Sequence, residues 1–565
     1  MKAINRAFLQ IAQRAERQDD EILRKTFVDY GAVFEAISSI DHQIVFGRRG
    51  TGKTHLLTYL RQSRKGAGET AVQLDMRLIG SDGGIFGDSS IPVAQRATRL
   101  LIDVLAAVHN AIYEQAVEDN SLIDLSRVAV PLDLLFDAHH SVKVVPTSVT
   151  LVESTTAQND QSMSAKVGGT VGLTAASVTA EASIGTTDKG IVSANKTVVG
   201  VERHHVNFGS VGDAIRKLAD ALPNKRLWVM IDEWSEVPRE LQPYLAEMLK
   251  RALMPARGIT VKIAAIEQRT KFSVPDESAG HIGLEPGADI STAINLDDFM
   301  VFDNDESRSV TFFRSLVFQH VKALLEAKAA AAAAAAASTA PAAAAMPSSS
   351  HAVASGEHVE DVPVIGSAEE LVSKAFTQTN AFDEVVRACE GVPRDAINIL
   401  STAAKLAGDA TISVGEVRKA ARQWYIGSKD SVVNSHERAK ELLNWIVDKV
   451  IKERRTKAFL LESSTRDALI DYLYDERVLH VLRKGMSSKE EPGIRFNVYG
   501  IDYGCYVDLV STTLAPKGML DLGDAQESEF TPSVPKTDFR SIRRCVLNLS
   551  DFYVATTMQK ENSPH

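Results

Sequence analysis

Short apolar runs alternate with helix-like segments over the first three hundred residues. Strand-length runs occur in "QIVF" (43–46), "TAVQLDMRLI" (70–79), "RLWVMIDEWSEV" (226–237), "GITVKIAAIEQRT" (258–270) and "AINLDDFMVF" (293–302). Segments with the apolar spacing of helices separate them, including a long helix from about Pro92 to Glu118. Strands that alternate with helices build a parallel sheet covered on both faces. We therefore predict an α/β core over residues 41–300, preceded by two helices within residues 1–40.

Residues 125–210 have a different pattern from the rest of this core. Apolar and small polar residues alternate there, as in "KVGGTVGLTAASVTAE" (166–181), and this is the period of a β-strand. We predict a β-rich insertion in the form of a hairpin or a small sheet. A flexible loop rich in Gly, Ser and Thr is the alternative.

Residues 301–428 are predicted to form a helical domain that an alanine-rich segment interrupts at 327–361. This segment contains an unbroken run from Ala329 to Ala337. Because alanine favours helix, we expect the preceding helix to continue to about Lys328. The later part, rich in Ser, Pro and Gly, cannot bury a core and is predicted to be disordered.

A further unit is predicted at residues 431–515. It begins with an amphipathic segment, "HERAKELLNWIVDKVIKERRTKAFLL", and a capped helix in "STRDALIDYLYDE". Two strand-like runs follow, "RVLHVLR" and "IRFNVYGIDYGCYVDLV". Helices followed by a β-hairpin are typical of a winged helix. In the tail, 516–565, "DFRSIRRCVLNLSDFY" predicts one more ordered element.

Composition and charge limit the classes of function that we expect of this chain. The chain has 565 residues and a net charge of −10, so any contact with nucleic acid has to be local. Its three cysteines have no paired spacing, which indicates a reducing compartment and excludes a disulfide framework. The charged, amphipathic start does not resemble a signal peptide, and we found no run of about twenty apolar residues. We expect a cytoplasmic protein without a membrane span.

A glycine-rich motif follows the first strand of the core. "GRRGTGKT" at 47–54 fits G-x-x-x-x-G-K-[ST], with a strand before it and a helix after it. Glycines let the backbone N–H groups point at phosphate oxygens, the lysine reaches the β- and γ-phosphates, and the threonine hydroxyl ligates Mg²⁺. The helix start adds its positive dipole end. The predicted nucleotide-binding residues are Gly47, Arg48, Arg49, Gly50, Thr51, Gly52, Lys53, Thr54 and His55.

An acidic pair ends the strand "LWVMIDE". We predict that Asp232 holds Mg²⁺ together with Thr54, and that Glu233 acts as the general base on the attacking water. The two residues follow Lys53 by about 180 positions, which the predicted insertion explains.

Two further polar positions are candidates for sensing the nucleotide. Gln268 follows the strand "VKIAAIE", which we place between the strand of the glycine-rich motif and the acidic strand. Arg394 lies at the start of the helix in "GVPRDA". An arginine in the first turn of a helix opposes the helix dipole, so its position favours a partner such as a phosphate.

Together, "GRRGTGKT", "MIDEW", the strand before Gln268 and "GVPRDA" resemble an AAA+ ATPase. Their order and the winged-helix-like unit are most similar to initiators of the origin-recognition-complex type, and to a bacterial relative of them. The resemblance covers about residues 25–510, with the insertions at 80–210 and 327–361 unmatched. It implies ATP and Mg²⁺ as ligands, a helical lid, Gln268 at the sensor 1 position (usually Asn or Thr) and Arg394 at sensor 2.

One departure from that family concerns the arginine finger, which a neighbouring subunit normally contributes after sensor 1. No arginine occurs between Arg269 and Arg308. Arg269, Arg251 and Arg257 remain candidates, and slow hydrolysis with the nucleotide acting as a switch is the alternative.

The last unit offers a candidate surface for double-stranded DNA. In initiator-like proteins a recognition helix enters the major groove and the wing touches the minor groove. The predicted contacts are Arg466 on the recognition helix and Arg483, Lys484, Lys489 and Arg495 around the wing. Nearby acidic residues leave the unit about neutral, however, so a protein-docking role remains open.

These observations predict an ATPase that couples its nucleotide state to assembly on DNA or on a protein partner, with fast and slow hydrolysis both left open. A homo-oligomer is expected. The first alternative is a nucleotide-held signalling switch of the anti-phage defence kind, in which the winged helix docks a protein. The second is a module whose inserted β-region recognises a protein.

Overall fold

A computed structural model describes most of the chain. The described residues are 2–12, 14–15, 18–80, 91–119, 122–139, 142–155, 192–204, 206–277, 280–291, 293–300, 306–338, 365–454, 456–487, 493–514, 542 and 545–561. Lys489, most of the tail and the middle of the predicted insertion lie outside these ranges.

The first part of the chain alternates helices and strands. In chain order its elements are α1 (Ala3–Gln10), α2 (Asp20–Thr26), α3 (Val33–Ile37), β1 (Gln43–Phe46), α4 (Lys53–Gly66), β2 (Thr70–Asp75), α5 (Val93–Glu118), α6 (Leu125–His139), β3 (Val142–Thr155), β4 (Val192–His204), α7 (Phe208–Ala221), β5 (Leu227–Asp232), α8 (Gln242–Ala252), β6 (Ile259–Ala265), β7 (Ser273–Asp276), β8 (Gly280–Gly283), β9 (Ile294–Asn295) and α9 (Leu296–Met300).

A helical domain and a C-terminal unit follow. The helical domain contains α10 (Glu306–Ser338), α11 (Ala368–Ala375), α12 (Thr379–Ala388), α13 (Pro393–Ala407), α14 (Val414–Trp424) and α15 (Ser431–Asn434), with a π-helical turn at Tyr425–Asp430. The C-terminal unit contains α16 (Glu437–Val447), β10 (Ala458–Glu462), α17 (Ala468–Asp475), β11 (Leu479–Ser487), β12 (Arg495–Ile501) and α18 (Tyr503–Leu514).

The core is a five-stranded parallel sheet in the order β2-β5-β6-β1-β9. Every residue of β5 and β6 is buried, as expected for central strands that are covered on both faces. One face packs on α4 and the helical domain, and the other on α5, α6, α7 and α8. The predicted α/β core with a parallel sheet is therefore confirmed, and β6 lies between β1 and β5 as expected.

Helix α5 is long and apolar enough to cross a membrane by length and composition alone. Its apolar face includes Leu101, Val104, Leu105 and Val108, each 0% exposed, and this face packs in the same cluster as the sheet residues. The burial accounts for its apolar composition, because core helices of folded domains have the same character.

The β-rich insertion begins later than the sequence pattern indicated. Residues 125–139 form α6, a helix that includes Pro131, so the predicted boundary at 125 is wrong. Beyond it, β3 and β4 pair antiparallel as a long two-stranded ribbon, with Val142 opposite His204 and Thr155 opposite Val192. The chain between them lies outside the described residues.

Several other boundaries also differ from the predictions. Within the described residues three helices, not two, precede β1, and α10 continues through the alanine run to Ser338. In the C-terminal unit, residues 458–462 form β10, so the predicted amphipathic helix does not continue through "AFLL", while residues 503–514 form α18 and not the end of a strand. The three strands form an antiparallel sheet in the order β10-β12-β11. Within the described part of the tail, Leu549–Glu561 form a helix.

Candidate nucleotide site

The glycine-rich motif forms a tight loop between β1 and α4. Gly50 and Gly52 have φ values of 88° and 94°, in the left-handed region that favours glycine. A Cβ atom on Gly50 would lie 2.7 Å from Cβ of Arg394, so the backbone there approaches a neighbouring helix closely. The motif glycines are thus required by backbone geometry at these two positions.

Lys53 is buried at the first position of α4. Its ammonium group donates hydrogen bonds to the carbonyl oxygens of Gly47 (2.8 Å) and Arg48 (3.1 Å). Burial lowers the pKa of Lys53, although the carboxylates of Glu233 and Asp232 oppose this effect. A cation held inside the loop and next to two acids is suited to bind an incoming phosphate.

The acidic pair ends β5 next to the loop. Asp232 is 3% exposed and accepts a hydrogen bond from the backbone N–H of Glu233 (2.9 Å). The nearby hydroxyl of Thr54 opposes the effect of burial on the pKa of Asp232. Burial raises the pKa of Asp232, and burial together with the charge of Asp232 raises that of Glu233. Glu233 has a φ of 54°, a strained value for this residue type of the kind found at functional sites.

A cleft of about 280 Å³ lies next to these groups, between the sheet and the helical domain. Glu233 lines it, whereas Asp232 does not. Its lining also includes residues of the glycine-rich loop, α13 and the N-terminal segment: Arg14, Arg49, Gly50, Gly52, Lys53, Thr54, His55, Arg77, Glu236, His320, Arg394 and Ile397. Arg394 approaches the loop directly, since its backbone N–H donates to the carbonyl of Gly50 at 3.2 Å.

A second, more apolar hollow adjoins this cleft. Gly52, His55, Leu316 and Pro393 line both, and the hollow also contains Phe27, Val28, Tyr30, Leu56 and Phe312. An apolar wall beside a cationic loop is complementary to a ligand that carries a flat base at one end and phosphates at the other.

The side chain of Arg48 lies outside the cleft lining, in contrast to the phosphate contact predicted for it. It is 1% exposed, and its Nε donates to Oδ1 of Asp297 at 2.8 Å. Burial by itself would lower the pKa of Arg48, but the adjacent Asp297 raises it. Thr51 is also turned inward, and its hydroxyl donates to the carbonyl of Arg48 at 2.9 Å. Both side chains face the protein interior and stabilise the conformation of the loop.

Gln268 lies in a short turn, Glu267–Arg269, directly after β6. It is half-buried and is not among the residues that line the cleft. The next residue, Arg269, pairs with Asp475 of α17 and thus with the C-terminal unit of the same chain. Arg251, another candidate finger, pairs with Glu247 one helical turn away.

Three further residues around the cleft were not among those predicted. Arg77 follows β2, pairs with Asp75 and opposes the rise in the pKa of Glu233. Asp297 accepts a hydrogen bond from the backbone N–H of Arg48 at 2.9 Å. His320 enters from α10, and burial lowers its pKa to about 4. Arg77 could have been suspected from its place just after a core strand, whereas no sequence signal marks the other two.

The candidate DNA contacts are spread over the C-terminal unit. Arg466 precedes α17 and does not lie on it, so that placement was wrong; its guanidinium donates to the carbonyls of Ser463 and Thr465. Arg483 and Arg495 are exposed on β11 and β12. Lys484 pairs with Glu267 of the core at 2.7 Å.

The side chains beside the loop supply only some of the ligands that a hard cation such as Mg²⁺ needs. Within the described ranges, no three His, Cys, Asp or Glu side chains are grouped so as to hold a metal ion. The hydroxyl of Thr54 and the carboxylate of Asp232 offer oxygen ligands of the kind that Mg²⁺ prefers, and Mg²⁺ commonly takes its remaining ligands from phosphates and water.

The parallel sheet, the glycine-rich loop and the acidic strand end are compatible with the class of P-loop nucleotide-binding cores. A family model described as ORC-CDC6-like matches residues 12–64, which include the N-terminal segment and the loop. The match supports a relationship to AAA+ proteins of the ORC/CDC6 type over this short region. No curated protein matches the chain.

Proposed function

We propose that this chain is an ATP-binding AAA+ ATPase that couples its nucleotide state to assembly on DNA or on a protein partner. The observation that carries the proposal is the convergence of Lys53, Thr54, Glu233 and Arg394 on one cleft. Cation, hydroxyl, carboxylate and arginine are the groups that phosphate binding and hydrolysis require. The ORC-CDC6-like match over the loop supports the same class.

Each residue has a distinct role in this proposal. Lys53 and Arg394 bind the phosphates, and Arg394 does so from the helical domain, which acts as a lid. Thr54 and Asp232 hold Mg²⁺, which neutralises charge on the phosphates when it is bound. Glu233 orients and deprotonates the attacking water. Gln268 would sense the γ-phosphate only after a change in its turn, because it does not line the cleft.

We interpret the C-terminal unit as a winged helix, with α17 as the helix before the wing and β11 and β12 as the wing. The helix–hairpin order and the antiparallel sheet support this interpretation. Exposed Arg483 and Arg495 favour DNA as its partner. The alternative, a nucleotide-held signalling switch with a protein-docking unit, is favoured by the pairs of Arg269 with Asp475 and of Lys484 with Glu267.

The test is ATP binding and hydrolysis by the full chain, with and without duplex DNA. We expect Lys53→Ala to lose nucleotide binding. We expect Glu233→Gln to retain binding but to hydrolyse 10²- to 10⁴-fold more slowly, the usual contribution of a general base. Stimulation of the wild type by DNA supports the assembly function, whereas slow turnover that ignores DNA supports the switch. Lys217→Ala, a change on the exposed face of α7, is the control.

A further inference from the structure

The C-terminal unit contacts the ATPase core next to the nucleotide cleft, and these contacts are polar. The hydroxyl of Tyr474 donates to Asp297 at 3.2 Å, and the Tyr474 ring lies 5.4 Å from the guanidinium of Arg48. Arg48 also donates to Nδ1 of His480 on β11. A residue of the glycine-rich loop is therefore bonded directly to the C-terminal unit.

The helical domain joins the same polar network through Glu390. Its carbonyl accepts a hydrogen bond from Arg48 at 3.2 Å, and its carboxylate lies 3.1 Å from the ammonium of Lys457 in the C-terminal unit. Glu390 is 3% exposed and has a φ of 48°, an uncommon value for a glutamate. The surrounding contacts hold it in this conformation between core and C-terminal unit.

Two consecutive residues of α13 face different partners. Arg394 lines the cleft, while Asp395 is 1% exposed and pairs with Arg477, just after α17, and with Lys429 at 3.0 Å. Lys429 also pairs with Asp502, at the end of β12. The arginine that faces the cleft is thus one position away from a buried attachment to the C-terminal unit.

The attachment of the C-terminal unit to the helical domain is of a different kind. Tyr503, Tyr506 and Val507 of α18 belong to one apolar cluster with Val417 and Ala421 of α14. The two helices approach so closely that a Cβ on Gly504 would lie 2.4 Å from the carbonyl oxygen of Ala421. Such apolar packing favours movement of these two parts as one body.

The contacts with the core contrast with this packing. On the core side they include four polar residues: Arg48, Asp297, Glu267 and Arg269. Each of these pairs with a polar group of α17 or β11. Polar interfaces between domains resemble those of transient complexes, and relative motion is expected across them. The boundary that separates most readily is therefore the one between the core and the C-terminal unit.

Resting on the proposed function, we propose that the C-terminal unit is a latch that holds the helical lid closed over bound nucleotide. Docked on the core, it keeps α13 against Gly50 and Arg394 at the cleft. When the polar contacts of α17 and β11 break, the unit moves away from the core and draws α13 from Gly50, while the rest of the helical domain stays packed on α4. The nucleotide then dissociates. Lys484 is then released from Glu267, so duplex DNA that binds Lys484 competes with nucleotide retention.

The test measures the dissociation rate of a fluorescent non-hydrolysable ATP analogue from the full chain. Asp475→Arg places like charges opposite Arg269, and we expect dissociation at least fivefold faster, the lower end of typical coupling between sites. Adding Arg269→Asp restores an opposite-charge pair, and we expect it to recover most of the wild-type rate. Lys449→Ala, which removes an exposed pair within the C-terminal unit, is the matched control.

A distance measurement gives an independent readout. The three native cysteines are buried, which protects them from a labelling reagent. Spin labels can therefore be attached selectively to cysteines introduced at two exposed positions, Lys217→Cys on α7 and Lys440→Cys on α16. We expect one narrow distance distribution with the analogue bound and a broader, longer one in Asp475→Arg. Lys484→Glu, a milder change at the surface, replaces Asp475→Arg if the latter fails to fold.

The outcomes separate the latch from the proposed function. A wild type that does not bind the analogue overturns both. A wild type that binds it, while Asp475→Arg and Lys484→Glu release it at the rate of Lys449→Ala and keep the narrow distribution, overturns the latch and leaves the nucleotide site standing.

Discussion

Gly50 of the glycine-rich loop and Arg394 of α13 are in direct contact. The backbone N–H of Arg394 donates to the carbonyl of Gly50 at 3.2 Å, and a Cβ on Gly50 would lie 2.7 Å from that of Arg394. The missing side chain at residue 50 is what allows the helical domain to close on the loop. A change at this residue therefore tests the closed arrangement of the cleft.

We expect Gly50→Ala to weaken nucleotide binding at least tenfold. The new methyl group meets Arg394, and overpacking of this kind costs about 1–3 kcal/mol, in addition to the strain of alanine at a φ of 88°. Equilibrium binding of a fluorescent ATP analogue measures the effect. Gly66→Ala, at the end of α4 with open space around it, is the control and should bind normally. Equal affinities of the two variants would contradict the closed arrangement.

The second prediction concerns the pH dependence of hydrolysis. Glu233 acts as a base only when ionised, and burial with the charge of Asp232 raises its pKa. As the pH is lowered, the rate of hydrolysis should therefore begin to fall at a higher pH than it would with a glutamate of ordinary pKa. Arg77 opposes this shift, so Arg77→Gln should move the acidic limb of the kcat profile to still higher pH.

Arg216→Gln, at an exposed pair on α7, is the control for that charge change. If the acidic limb of the kcat profile does not move in Arg77→Gln, the charge of Arg77 does not affect the pKa of Glu233. If the limb is also unchanged in Glu233→Gln, whatever activity remains uses another base.

Stability should depend on His320 at mildly acidic pH. Burial lowers the pKa of His320 in the folded chain from the ordinary 6.5 to about 4. The unfolded chain therefore binds more protons between these values, and the free energy of unfolding falls as the pH is lowered through this range. From pH 7 to pH 5 the loss should be about 2 kcal/mol.

Denaturant titrations of the wild type and of His320→Gln at the two pH values measure this effect. The glutamine variant should lose about 2 kcal/mol less between pH 7 and pH 5 than the wild type. His109→Gln, on α5, is the control. Parallel losses in all three proteins would show that other groups dominate acid sensitivity.

If the wing binds DNA, its contacts should appear in the salt dependence of binding. Each lost phosphate contact reduces the slope of log K against log salt by about 1. We expect Arg483→Ala with Arg495→Ala to reduce the slope by about 2, and Lys449→Ala not to change it. Salt-dependent binding that is unaffected by Arg483→Ala together with Lys489→Ala would exclude the wing as the contact.

The candidate nucleotide site was the feature that the sequence predicted most directly. Glycine spacing, a lysine and a threonine define the loop within eight residues, and "LWVMIDE" places two acids at a strand end. Such local patterns are readable because the residues that act together are neighbours in the chain. Arg394 is more distant, but the first turn of its helix gave a local signal. The alternation of strands and helices likewise predicted the parallel sheet.

The ends of several helices and strands, and the partners of several charged residues, depend on packing between distant parts of the chain. Helix α6 was missed because Pro131 lies inside it and the pattern beyond residue 142 is that of strands. Helix α18 was read as a strand because its sequence follows β12 without an obvious break, while its packing on α14 decides its conformation. In both cases tertiary contacts outweigh local pattern.

By itself, therefore, the sequence determined the α/β core, the glycine-rich loop and the acids beside it, since these depend on local spacing. Only the tertiary structure decided that Arg48 turns away from the cleft toward Asp297 and His480, and that Arg269 pairs with Asp475. Those partners are some 200 to 430 residues apart in the chain. Long-range pairing of buried charges depends on how whole domains dock, which no local pattern encodes.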